Sequence, residues 1–194
     1  MNIIGVTGGA GCGKSTVCEA MSLHPNTITF DADAQVREFM AQDKQVRQEV
    51  AELLNKPFYT DSAEERSQLR ENAFVDDALR LALEDILHPR VKSALIRLAE
   101  EHQNSQSYLI AEIPLLYEAS FVECFSLVVV VAASEQTQYE RLLHRRWSRT
   151  LIDRVLLIQW PMAKKTALAD FVVWNDGNRA ILEKQMLLLL ERIF

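Results

Sequence analysis

The sequence predicts an α/β fold in three layers, a five-stranded and mainly parallel sheet between helices, and three observations predict it. Five short apolar runs rich in β-branched residues alternate with stretches of helical spacing. The runs are apolar throughout and do not alternate, as strands covered by helices on both faces read. The first run passes directly into a glycine-rich turn and then into a helical pattern.

The elements follow in order. The first strand is expected over Asn2 to Thr7 and the second over Thr27 to Phe30, ending in Asp31-Ala32-Asp33. A long polar stretch, 34–106, then carries helical spacing in Val46, Val50, Leu53 and Leu54 and again in Leu79, Leu83, Ile86 and Leu87. It is longer than a normal crossover, so a helical insert beside the sheet is expected. Strands over Tyr108 to Ala111, Ser126 to Val131 and Phe171 to Trp174 complete the sheet. The final stretch, Ala180 to Phe194, places Ile181, Leu182, Met186, Leu187, Leu189 and Leu190 in a broad apolar stripe that should pack on the sheet. The organisation expected is one domain over 1–194, with a core of about 1–33 and 107–194, the insert at about 34–106 and a lid at about 141–160.

Composition narrows the function classes. With 194 residues the chain fits one domain with a sizeable core. Its 27 acidic against 21 basic residues give a net charge of −6, which argues against generic binding to nucleic acid or to anionic membranes. Cys12, Cys18 and Cys124 form no CxxC pair, as expected in a reducing compartment. The N-terminus has no signal-peptide pattern, and the longest apolar tracts, Leu127 to Ala133 and Met186 to Leu190, are too short to cross a bilayer. A cytoplasmic monomer or small homo-oligomer acting on a small molecule, without nucleic-acid or membrane partners, is expected.

The strongest chemical signal is Gly8-Gly9-Ala10-Gly11-Cys12-Gly13-Lys14-Ser15, a GxxxxGK[ST] phosphate loop between strand and helix. Glycines let the backbone fold around an anion so that successive N–H groups and the helix N-terminus face it. Lys14 adds a point charge bridging the β- and γ-phosphates. The Ser15 hydroxyl is expected to serve as a magnesium ligand, and Thr16 can reach the α-phosphate from the first helical turn. Gly8, Gly9, Gly11, Cys12 and Gly13 complete the loop, so ATP and Mg2+ are the expected cofactors and the fold is of the P-loop NTPase type. A guanine-reading element is missing, because Asn55-Lys56 continues as Pro57-Phe58 and not toward an Asp.

Asp31 and Asp33 lie at the carboxyl edge of the sheet, on the side of the loop, where ligands of open α/β sheets bind. A carboxylate there can orient an acceptor hydroxyl and take its proton. After the fourth strand, Arg141, Arg145, Arg146 and Arg149 cluster on a helix and the following turn, suited to closing over a transferring phosphoryl group.

Taken together these segments resemble the dephospho-coenzyme A kinase family over nearly the whole chain. The resemblance rests on Gly5 to Val17, on Asp31-Ala32-Asp33 with Arg37, on Leu83 to Val91, and on Ile113 to Glu118. It continues through Gln159, Pro161, Lys165, Ala169-Asp170 and Asn175-Asp176-Gly177. It implies ATP-dependent phosphorylation of the ribose 3′-hydroxyl of dephospho-coenzyme A, with Asp33 as base and Asp31 supporting it. It further implies coenzyme contacts from Arg37, His88 and Arg90 on the insert, catalytic roles for Lys14, Arg141 and Arg145, and an adenine-flanking loop at Asn175.

His88 has a second reading, in which the residue before Pro89 ends one helix and the next begins. Three departures from the family pattern stand out: Glu112 where an Asp is usual, a lid element Arg145-Arg146-Trp147-Ser148 that is one residue shorter, and Cys12 where Ser is common. A thiol at a helix N-terminus is expected to have a lowered pKa and enhanced reactivity. The other readings are a kinase for a different small alcohol and a nucleotide-binding switch that transfers nothing.

Overall fold

The computed structural model describes residues 2–55, 63–103 and 107–194. Lys56, Pro57 and Phe58, the break in the guanine signature, lie outside the described residues. The chain divides into two compact units, Met1–Asp31 with Leu95–Phe194, and Ala32–Ala94.

The first unit is built on a sheet whose strands are β1 (Asn2–Gly8), β2 (Thr27–Asp31), β3 (Tyr108–Glu112), β4 (Leu127–Ala132) and β5 (Phe171–Trp174). All are parallel, in the order β2-β3-β1-β4-β5. Each expected strand forms, four of them extended by a residue or shifted by one. Burial on both faces holds for the central strands but not for the edges β2 and β5, which have exposed positions.

Successive residues of a strand point to opposite faces. Ile4 and Val6 of β1, Ile110 of β3, Val129 and Val131 of β4 and Val173 of β5 therefore meet one layer of helices. Its members are α1 (Lys14–Ser22), through Val17 and Met21, and α9 (Arg179–Ile193), through Leu182, Met186 and Leu189. Ile181 and Leu187, assigned to the same stripe from the sequence, are 50% and 63% exposed. The spacing 182, 186, 189 defines a narrower face than the run of leucines suggests. The strand β4 also packs against α8 (Met162–Ala167), whose Met162 lies against the same cluster. A methyl group on Gly5 would strike Leu116 and Phe125 from the chain that follows β3.

The helices α6 (Glu135–His144) and α7 (Arg149–Ile158) begin at Ser134 and Ser148, whose side chains accept the N–H of Thr137 and Leu151. Such caps contribute about 1 kcal/mol each.

The second unit is helical: α2 (Ala32–Gln42), α3 (Lys44–Leu54), α4 (Ala63–Val75) and most of α5 (Asp77–Glu101). Met40, Val46, Val50, Leu69 and Leu83 form its core. Asp43 caps α3 by accepting from Gln45 and Val46 N–H, and Asp76 does the same for α5 with Ala78 and Leu79. Pro89 does not end a helix here. The helix α5 runs through it, so the reading of His88 as a helix terminus is corrected. Around the proline, side chains supplement the backbone ladder: Arg90 donates to the Ile86 carbonyl at 2.6 Å and Ser93 to that of Pro89 at 2.8 Å.

Candidate active site

The phosphate loop leaves β1 at Gly8 and enters α1 at Lys14. Gly11 (φ +77°) and Gly13 (φ +91°) adopt the left-handed conformation that β-carbons disfavour. Gly13 is the residue before α1 and supplies no side-chain cap, so the helix N-terminus opens toward the loop. A methyl group on Gly13 would lie 2.4 Å from the side-chain nitrogen of Asn175, and one on Gly9 would lie 2.3 Å from the side-chain oxygen of Gln138.

The carbonyls of the loop are held by side chains. Lys14 donates to Gly8 and Gly9 oxygens at 3.3 and 3.2 Å. Arg141, on α6, donates to Gly11 and Cys12 oxygens and, at 2.8 Å, to the Asn175 carbonyl. Asn175, buried just beyond β5, donates from Nδ2 to the Cys12 oxygen at 2.8 Å. With its carbonyls turned toward cations and amides, the loop presents N–H groups to its concave side. Those of Gly11 and Gly13 have no protein acceptor among the described residues.

Arg141 and Asn175 thus support the loop from outside it, while Arg145, which follows α6, and Arg146 and Arg149 are exposed. Gln138 was not singled out in the sequence. It is buried and donates to the Ala133 carbonyl beneath Gly9. Its position three residues before Arg141 on one helix was the available signal.

Cys12 corrects an expectation. Its side chain is fully buried in the core under the loop, and burial pushes its thiol pKa up, outweighing the neighbouring charges of Lys14 and Arg141. It is not an activated thiol, and it serves the loop from below, against the backbone of Gly9 and Ala133. The exposure that a reactive cysteine needs is absent.

At the carboxyl edge of the sheet, Asp31 of β2 and Glu112 of β3 sit opposite one another in register. Ser15 donates to Glu112 Oε1 at 3.0 Å. The Cys18 thiol, one helical turn on, also donates to the Glu112 carboxylate; burial first, and then that carboxylate, push the thiol pKa far up. A hydroxyl and a carboxylate oxygen side by side are the hard donors that Mg2+ takes together with phosphate oxygens. Among the described residues no group of three or more His, Cys, Asp or Glu could hold a metal alone. Ser15 and Thr16 are exposed at the start of α1.

The remaining candidates belong to the helical unit. Asp33 is placed in the first turn of α2 and not at the end of β2, because the strand stops at Asp31 and the helix starts at Ala32. It is exposed, as is Arg37 one turn later. Arg90 is committed to Glu49 at 2.8 Å as well as to the Ile86 carbonyl. His88 is half-buried, and its pKa is lowered by burial against the opposing pull of Glu84 and Asp85. It is therefore a neutral imidazole near pH 7, able to donate and to accept.

No helix among the described residues is long and apolar enough to cross a membrane. Residues 2–180 match the model of the family described as dephospho-CoA kinase. A curated relative of that name from Protochlamydia amoebophila is 30% identical, with 94% of this chain and 92% of the relative covered. A solved structure from Thermus thermophilus superposes with a TM-score of 0.78 at 27% identity, covering 100% of this chain and 98% of that one. The dephospho-CoA kinase of Campylobacter jejuni shares the fold, with a TM-score of 0.70 at 22% identity and coverage of 99% and 96%.

Proposed function

The chain belongs to the dephospho-CoA kinase family, and on that premise we propose that it transfers the γ-phosphoryl group of ATP to the ribose 3′-hydroxyl of dephospho-CoA, giving CoA and ADP. The observation that carries the reading is the family match over residues 2–180, which spans the phosphate loop, the segment Leu83 to Val91 and the segment Ile113 to Glu118. A chain related only through its loop would not match over that length.

Phosphoryl transfer asks little covalent chemistry of a protein and much positioning and charge stabilisation. The N–H groups of Gly11 and Gly13 and the N-terminus of α1 bind the β-phosphate. Lys14, whose ammonium lies on the Gly8 and Gly9 carbonyls, exchanges these weak acceptors for β- and γ-phosphate oxygens, and the Thr16 hydroxyl takes the α-phosphate. Ser15, with Glu112 behind it, would hold Mg2+, which when bound neutralises charge on the phosphates. Arg145 closes over the transferring group, and Arg141 and Asn175 fix the loop and flank the base.

Asp33 takes the proton of the acceptor hydroxyl, and Asp31, in register with Glu112 at the sheet edge, supports it. Arg37, His88 and Arg90 contact the coenzyme from the helical unit. As a neutral group, His88 contributes hydrogen bonds there and no charge.

Acceptor profiling tests the reading. ADP release from Mg-ATP is followed with dephospho-CoA, adenosine and a simple sugar alcohol in parallel, and turnover is expected with dephospho-CoA alone. Faster turnover of another alcohol would replace the acceptor, and nucleotide binding without transfer to any of them would favour a switch.

A further inference from the structure

We infer that Gln159 is a positioning residue for the nucleotide: it holds the phosphate loop in its binding shape by accepting the N–H of Ala10, and the chain that follows α7 holds Gln159. The inference rests on the proposed use of the loop for ATP.

The loop carbonyls are held by Lys14, Arg141 and Asn175, as described above. Its N–H groups divide into those left for an anion and those bonded within the protein. Cys12 N–H turns inward onto the Gly9 oxygen at 3.2 Å, and Ala10 N–H is taken at 2.9 Å by Oε1 of Gln159, 149 residues away in sequence. The Cys12 thiol faces the Gly9 N–H from within the loop, whereas Gln159 takes a loop N–H from a distant part of the chain. An N–H left without that acceptor would turn toward the nearest oxygen, and at Ala10 this rotates the Gly9–Ala10 peptide, whose carbonyl accepts from Cys12 N–H and from Lys14.

Gln159 can do this because its backbone is fixed. It closes α7, its own N–H bonding to Val155. The next residue, Trp160, donates its N–H to Glu118 Oε1 at 2.8 Å, and Lys165, wholly buried, donates to the same oxygen at 2.8 Å. Lys165 also reaches the Pro114 carbonyl, which accepts the hydroxyl of Thr7 from β1. The Trp160 ring stacks parallel to Tyr117 at 6.0 Å and carries Lys164 on its face. The Gln159 amide is thus anchored at its base to the sheet edge and at its tip to the loop. Any displacement of the α7 terminus must break the Ala10 bond, so Gln159 also ties the end of the lid helix to the phosphate site.

Mg-ADP binding is measured by calorimetry on wild type, Gln159→Leu, Ala10→Pro and the double variant. Gln159→Leu is expected to weaken binding about tenfold. In the Ala10→Pro background, where the N–H no longer exists, the same change is expected to add less than about twofold, because interacting residues are not additive. At saturating ATP the turnover of Gln159→Leu should stay within about twofold while KM for ATP rises, which a merely destabilised fold would not give.

Amide exchange at Ala10 keeps the test independent of the proline variant: it should quicken in Gln159→Leu while exchange in β4 is unchanged. Wild type that binds no Mg-ADP overturns the nucleotide reading and this inference with it. Wild type that binds, with Gln159→Leu equal to it or additive with Ala10→Pro, overturns the inference alone.

Discussion

Asp33 and Cys12 show at the scale of single residues how position in the fold decides chemistry. Asp33 is exposed in the first turn of α2, and a carboxylate open to solvent is within reach of an acceptor hydroxyl. Asp33→Asn keeps the size but removes the base. Turnover with dephospho-CoA is expected to fall at least about tenfold with KM for ATP within about twofold, measured by initial rates. Cys12 has the opposite character, a buried thiol held protonated. Native protein treated with iodoacetamide should therefore remain unlabelled at Cys12 by peptide mass spectrometry and keep its activity.

His88 links charge to stability. Its folded pKa lies below its ordinary value of 6.5, so between the two the unfolded chain binds more protons than the folded one. The stability it leaves intact is fully present above pH 6.5 and is lost as pH falls through the folded pKa. Denaturant midpoints from about pH 8 to about pH 5 should drop on the acid side, and His88→Gln should reduce that slope.

At the scale of elements, the phosphate loop was legible because its geometry requires residue types that the chain displays: glycine where φ is positive, lysine and serine where the helix begins. Gly13→Ala imposes a β-carbon at φ +91° and 2.4 Å from the Asn175 amide. The left-handed conformation alone costs about 1–2 kcal/mol, and the clash moves Asn175 off the Cys12 carbonyl. Mg-ADP affinity is expected to drop at least about tenfold, with a lower melting temperature, by calorimetry and thermal unfolding. Unchanged affinity would mean that the loop shape does not control binding.

The outer supports of the loop were not legible. Arg141 reads in sequence as one of four lid arginines, and only its separation from Gly11 and Cys12 in space assigns it to the loop backbone. The burial of Gln138 and the single-sided exposure of α9 depend on which neighbours pack against a helix. Periodicity gives a face but not its width. Pro89 was misleading for a related reason: the bias against helix before proline is local, whereas α5 is supported over 25 residues by packing and by Arg90 and Ser93.

At the scale of the molecule, a parallel sheet of order β2-β3-β1-β4-β5 brings the ends of β1, β2 and β3 to one edge. Residues distant in sequence, Lys14 and Ser15, Asp31 and Glu112, meet there. The five apolar runs made that architecture predictable, since a covered parallel strand needs little beyond continuous branched side chains. The helical unit Ala32–Ala94 has its own core, so substitutions in Val46 or Val50 should lower its stability while leaving the phosphate loop bonded as before.

The central claim, transfer to the ribose 3′-hydroxyl of dephospho-CoA, is tested most directly by mass spectrometry of the acceptor after incubation with wild type and Mg-ATP. Lys14→Ala and Asp33→Asn run in parallel, and the phosphate is located by fragmentation. Addition of one phosphate at the 3′ oxygen by wild type, abolished in Lys14→Ala and slowed in Asp33→Asn, is the result expected. Unmodified dephospho-CoA despite bound ATP, or phosphate at another position, would contradict it.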